Sequence, residues 1–133
     1  MAESITIAVG ADHAGVDLKD ALKSVLAERG HQVRDLGTNA KESVDYPDFG
    51  HAVAAEVAGG EAELGLLVCG TGVGMSMSAN RHAGVRAVVC SDTFSARMSR
   101  MHNDANVLCL GARVVGVGLA QDILEVFLDS GFE

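Results

Sequence analysis

Tryptophan is absent from this chain, and proline and tyrosine each occur once. A single proline beside 16 glycines excludes a proline-rich linker and fits an ordered domain with several tight turns. With four phenylalanines and no tryptophan, the core has to come from aliphatic and alanine side chains, and a hydrophobic content of 48% supplies enough of them. Cations are scarce as well. Ten Lys and Arg face 18 Asp and Glu, for a formal net charge of −8. That balance argues against nucleic acid as a partner, because phosphate backbones are bound by clustered Lys and Arg. It leaves room for a small anion in a local cationic pocket. No apolar run approaches the roughly 20 residues of a membrane span, so no membrane association is expected. The opening MAESITIAVG lacks the basic region and apolar run of a signal peptide. The three cysteines cannot all pair within one chain and show no C-x-x-C spacing, so a reducing, cytoplasmic setting is expected. A length of 133 residues suits one domain spanning the whole chain.

What is present is an alternation of short apolar runs and longer amphipathic stretches. Strands are expected at Ile5–Gly10, His31–Gly37, Ala62–Gly70, Ala83–Ser91 and Ala105–Gly111. A helix over Val16–Gly30 presents Val16, Leu18, Leu22, Val25 and Leu26 on one face and stops at a glycine. Further helices are expected over Asp48–Gly59, briefly around Met75–Asn80, after a cap at Asp92, and over Val117–Gly131. Residues 38–47, TNAKESVDYP, read as a polar loop. Five apolar strands separated by helices predict a three-layer, Rossmann-like α/β domain with a parallel sheet covered on both faces. Ligands of such sheets gather at the carboxyl ends of the strands, near the switch in strand order. The distinctive motifs are expected to meet there: Ala11–Gly15, Cys69–Gly74, His102–Asp104 and Gly111–Arg113.

The stretch LLVCGTGVG, ending at Gly74, turns an apolar strand into a glycine-rich loop. It is no Walker loop, since no Lys stands where one is required, and its G-x-G-x-G spacing after the third strand is not a dinucleotide fingerprint. What remains is a nest of backbone N–H groups from Gly70, Gly72 and Gly74 leading into a helix, a favourable place for an oxyanion or a phosphate. Cys69, at the edge of that positive field, is a candidate base or nucleophile with an oxyanion hole beside it. The competing reading is a small buried hydrophobe, which is the one expected of Cys90 and Cys109. A site of three thiolates lacks the spacing of zinc motifs.

Asp12 and His13 occupy a tight turn after the first strand, where they can orient a hydroxyl and hold an anion, or where Asp12 can simply cap the next helix. His102 and Asn103 end a helix, where an imidazolium is also favoured electrostatically. Arg113 is either a phosphate fork or a solvated charge. His31, His51 and His82 have no convergent partners in sequence and read as surface or structural. Arg97 and Arg100 read as an ordinary helix face.

Taken in order, GADHAG, the Tyr46–Pro47 pair, VCGTGVG, AGVRAVVC and RMHNDANVLCLGARVVG resemble the type B ribose-5-phosphate isomerases, and the galactose-6-phosphate isomerase subunits share much of the pattern. The resemblance runs from about Ile5 to the last residue. It implies a homodimer or tetramer whose active sites draw on both subunits. It also implies conversion of an aldose phosphate to a ketose phosphate through a cis-enediolate, without metal or other cofactor, as in the non-oxidative pentose phosphate pathway. Carried over by motif, Cys69 is the base between C2 and C1, and Thr71 shuttles protons between O1 and O2. Gly70, Gly72 and Gly74 hold the enediolate oxygen. His102 opens the furanose ring with Tyr46 nearby, Asp12 and Asn103 bind hydroxyls, and His13 and Arg113 hold the phosphate. A family variation with a Glu in the turn and no cysteine is not the pattern here, where Cys69 and Met75 stand. Relatives usually continue into a G-G-R-H-x-x-R tail that binds phosphate in the neighbouring subunit's site, whereas this sequence stops at SGFE. Either a tail follows, or phosphate binding relies on fewer cations. Galactose 6-phosphate, allose 6-phosphate or a tetrose phosphate are the alternative substrates, and a non-catalytic phosphosugar-binding protein is the alternative class. A flavodoxin-like module is disfavoured, because GADHAG lacks the Ser/Thr-rich turn a flavin phosphate needs.

Overall fold

The computed structural model describes residues 4–39 and 46–133. Five strands, β1 (Thr6–Ala11), β2 (Gln32–Asp35), β3 (Leu64–Cys69), β4 (Ala87–Val89) and β5 (Val107–Gly111), form one sheet in the order β2-β1-β3-β5-β4, and every pairing is parallel. The helices between and after them are α1 (Val16–Glu28), α2 (Tyr46–Gly59), α3 (Val73–Ala79), α4 (Thr93–Asn103) and α5 (Val117–Asp129). The expected α/β architecture is therefore the observed one. None of the described helices is long and apolar enough to cross a membrane.

Strand periodicity sorts the core into two layers. Leu64, Leu66 and Val68 of β3, with Leu108 and Leu110 of β5, pack against the apolar stripes of α1, α4 and α5. Their alternates Leu67, Cys69, Val107 and Cys109 face α2 and α3, through Val53, Val57, Met75 and Ala79. All six residues of β3 are buried, as a central strand covered on both faces requires.

Sequence and structure differ mainly at element ends. α1 stops at Glu28, and Gly30 takes a left-handed φ of +85° that ends the helix as expected. Asp92 caps α4 by accepting the Ser95 N–H at 2.6 Å. The strand expected over Ala83–Ser91 shrinks to Ala87–Val89 on the sheet edge. There the Asn80 side chain takes both backbone groups of Ala87, at 2.7 and 2.9 Å. A side chain thus occupies the edge that another strand would pair with. Most of the expected polar loop, residues 40–45, lies outside the described residues.

Candidate functional site

β1 leads by way of α1 to β2 on one side, while β3 lies on its other side. The strand order therefore switches between β1 and β3, and the two loops leaving those strands meet there. The N–H of Asp12 donates to Val68 O at 3.2 Å. The Asp12 carboxylate is buried, and its Oδ1 accepts from the N–H groups of Ala14 (2.9 Å) and Gly15 (3.2 Å). It holds the turn that also carries the half-buried His13. Asp12 thus braces its own turn and does not cap α1, whose N-cap is Gly15.

After β3 the chain reaches the glycine turn. Cys69 is buried, and the N–H of Gly72 donates to its Sγ at 3.1 Å, which pins the sulfur at the mouth of the turn. Gly72 makes that contact with a φ of +84°, a conformation L side chains rarely adopt. The exposed Thr71 accepts the Val73 N–H on Oγ1 at 3.2 Å, leaving its hydroxyl proton free to donate outward. Gly74 and Met75 follow in the first turn of α3, where amides lack an intrahelical acceptor. The turn is braced from behind by β5. A Cβ on Gly111 would lie 2.6 Å from Thr71 O, so glycine alone permits that approach.

The same contact delivers Arg113. Its N–H donates to Gly70 O at 3.0 Å, and its guanidinium Nη1 would lie 3.6 Å from a Cβ built on Gly70. One chain therefore gathers a thiol, a hydroxyl, helix-start amides, a guanidinium and the Asp12–His13 turn at the carboxyl end of the sheet. This arrangement can bind an anion, stabilise a developing oxyanion and place a base next to it.

The other two cysteines follow the expected structural reading. Burial pushes the Cys90 thiol up to about 11 and raises that of Cys109 further. Cys90 packs in the layer opposite to Cys69 and Cys109, so the sheet separates its sulfur from the other two. Among the described residues no group of three or more potential metal ligands is gathered.

His102 and Asn103 are not part of this gathering within one chain. Both are exposed at the end of α4, which stands just before β5 and hence at the amino ends of the strands. In a parallel sheet, residues before a strand and residues after it occupy opposite ends. The expectation that His102–Asp104 joins the other motifs therefore fails inside a single copy. β5 is five residues long, which separates the two ends by roughly 13 Å. Tyr46 opens α2, and its side chain lies outside the described residues.

Three further groups were passed over or read as ordinary from sequence. His51 Nδ1 and His82 Nε2 lie 2.9 Å apart, a convergence between α2 and the loop after α3. Arg100 stands over the Phe127 ring at 5.1 Å and donates to Ser130 O and Ala105 O, so it clamps a core edge. Lys19 is fully buried. It lies on the apolar stripe three residues before Leu22 and seven before Leu26, a position from which its burial was readable. A cavity of about 450 Å³ opens at the amino ends of the strands, among His31, Glu63, Arg86, Arg100 and Asp104. It is remote from the cysteine and does not belong to the site.

The profile of a family described as Ribose/Galactose Isomerase matches residues 7–133. The chain is 52% identical to ribose-5-phosphate isomerase B of Escherichia coli, over 96% of this chain and 85% of that protein. It is 42% identical to D-erythrulose-4-phosphate isomerase of Pectobacterium atrosepticum, over 97% of this chain and 86% of that one. Its fold superimposes on ribose-5-phosphate isomerase B of Clostridium thermocellum with a TM-score of 0.95 at 51% identity, covering 96% of this chain and 86% of the other.

Proposed function

The chain belongs to the ribose/galactose isomerase family, and from that premise we propose that it interconverts ribose 5-phosphate and ribulose 5-phosphate. One observation carries the reading: Cys69 Sγ is held by the Gly72 N–H at the start of an amide-lined turn, with Arg113 alongside. Aldose–ketose isomerisation needs what that turn can supply. A proton on the carbon next to a carbonyl is weakly acidic, so its removal requires a positioned base and donors for the oxygen that gains charge.

In the open-chain aldose, Cys69 removes the C2 proton. The electron pair forms the C1–C2 double bond, and the carbonyl pair moves onto O1. The Gly70–Gly74 amides stabilise the resulting enediolate, and Thr71 passes a proton between O2 and O1. Return of the proton to C1 completes the ketose. Nothing is oxidised or reduced overall, so the conversion needs no redox cofactor. Asp12 orients sugar hydroxyls through its second carboxylate oxygen, and His13 and Arg113 hold the phosphate.

The residues at the other end of the sheet enter from a second copy. His102 opens the ring and Asn103 binds a hydroxyl in the partner's site, with Tyr46 nearby. Support for a homodimer comes from apolar side chains left exposed around the carboxyl end, among them Val73 (50%), Phe94 (61%), Val114 (59%) and Val117 (58%). Exposed apolar side chains gathered at one end of the sheet suit a contact with a second copy. The three free cysteines support a reducing, cytoplasmic setting.

A coupled isomerisation assay over a panel of aldose phosphates tests the reading. Ribose 5-phosphate is expected to give the highest kcat/KM. A preference for a tetrose phosphate, the class named for the Pectobacterium relative, would replace the substrate while keeping the mechanism. Absence of turnover on every member would remove the enzyme reading.

Arg113 sets a second expectation. A charge-assisted hydrogen bond is worth roughly 1.5–3 kcal/mol, and about 1.4 kcal/mol is one decade in affinity. Arg113→Ala should therefore raise KM about ten- to a hundredfold, with kcat reduced less. Steady-state kinetics check this, and an unchanged KM would move the phosphate away from Gly70.

A further inference from the structure

We propose that Lys19 is a positioning residue: its buried ammonium ties the segment after β2 to α1 and so fixes the Ala11–Asp12 turn of the substrate site. The proposal rests on the isomerase reading above and adds a residue to it.

Lys19 has no exposed surface, yet every N–H of its ammonium is used. The Asp35 carboxylate takes one donor, with its oxygens at 2.9 and 3.0 Å. Thr38 O takes another at 2.7 Å, and Asn39 Oδ1 the third at 2.8 Å. Asp35 also accepts from Lys23 Nζ at 2.6 Å and from the Gly37 N–H at 2.9 Å. Burial pushes the Asp35 carboxyl up, but the bonds from Lys23, Lys19 and Gly37 outweigh it and hold the group below its ordinary value. The same segment is stitched to the end of β1. Ala11 N–H donates to Gly37 O, and Thr38 N–H to Ala11 O, both at 2.7 Å. Asp12 comes next in the chain. The path Lys19–Thr38–Ala11–Asp12 is thus continuous, and Asn39, the third contact, is the last described residue before the connection to Tyr46.

An apolar residue would complete the α1 stripe at this position without desolvating a charge. Replacing a buried ion pair by apolar groups is often neutral or stabilising, so stability alone does not account for a lysine here. Three donors diverging from one nitrogen do match a carboxylate, a carbonyl and an amide oxygen that converge on a point. What the lysine supplies is a fixed geometry for residues 37–39 beside the site.

Two variants separate positioning from stability. Lys19→Met removes the tether and leaves Asp35 short of a partner. Lys19→Met/Asp35→Asn also removes the half-buried carboxylate, while the amide oxygen can still accept from Gly37. The single variant should lose thermal stability, and the double variant should regain most of it. Both should show KM for ribose 5-phosphate raised about tenfold, with kcat changed less. A double variant whose KM returns to wild type together with its Tm overturns the proposal. Amide exchange, measured without substrate, gives an independent reading. The Ala11 and Thr38 amides should exchange at least about tenfold faster in the double variant, whereas global unfolding, seen in the slowest amides, should not. If the wild-type protein isomerises no sugar phosphate, the isomerase reading alone fails and amide exchange decides: unchanged protection at Ala11 and Thr38 then overturns the tether.

Discussion

Cys69→Ala is expected to abolish exchange of the C2 proton with solvent and to lower kcat by about a thousandfold or more, toward the upper end of what a positioned base contributes. The Cys69 thiol is the group that the glycine-turn amide of Gly72 contacts directly. The substitution removes one sulfur from a buried position and one N–H···S contact from Gly72. The structural cost should be about 1 kcal/mol, typical of a single core substitution, so circular dichroism and oligomeric state should match the wild type. Cys69→Ser keeps the contact geometry but replaces the thiol with a much weaker acid, and should be nearly as inactive. Cys109 is an internal control. It lies on the same face of the sheet, paired with Leu67 rather than Cys69, and its thiol is fully enclosed. Cys109→Ala should cost stability and spare kcat. Deuterium incorporation at C2, followed by NMR, checks the chemistry directly. Near-full exchange in Cys69→Ala would require a different base.

Local order was what the residues revealed well. The apolar runs of β3 and β5 and the stripe of α1 identified the elements. The G-x-G-x-G spacing after an apolar run marked the turn, because an amide nest needs glycine where φ is positive, and Gly72 has that φ. Contacts created by folding across long separations were not legible. His51 and His82 meet although 31 residues separate them. The place of Lys19 on the apolar stripe was readable, but its partners Asp35, Thr38 and Asn39 were not. The edge position of β4 also escaped, since AGVRAVVCS carries enough apolar residues for a longer strand, and only strand order leaves it one neighbour. The consequential error concerned the direction of the chain. A motif before a strand and a motif after one look equally close in sequence, but a parallel sheet puts them at opposite ends.

That geometry makes the second large effect a test of assembly. His102→Asn should reduce turnover of ribose 5-phosphate by about a hundredfold or more, the contribution of a general acid–base group. Erythrose 4-phosphate cannot close a furanose ring, because its O4 is esterified, so a ring-opening role predicts a smaller loss on that substrate. Equal losses on both would assign His102 to another step. Because His102 and Cys69 lie at opposite ends of one sheet, each site in a dimer with shared active sites takes them from different copies. Homodimers of Cys69→Ala and of His102→Asn should then both be inactive, each for want of one group. After denaturation and refolding together in equal amounts, half of the dimers are mixed. In each mixed dimer, one site receives Cys69 and His102 intact and the other receives neither, so activity should recover to about a quarter of wild type under the symmetry of a twofold dimer. Sites built within single copies would contain one lesion in every case, and no activity would return. Recovery near a quarter supports exchange of catalytic groups across the interface, and failure of the refolded mixture to recover, with mixed dimers verified by mass spectrometry, would remove His102 from the site of Cys69.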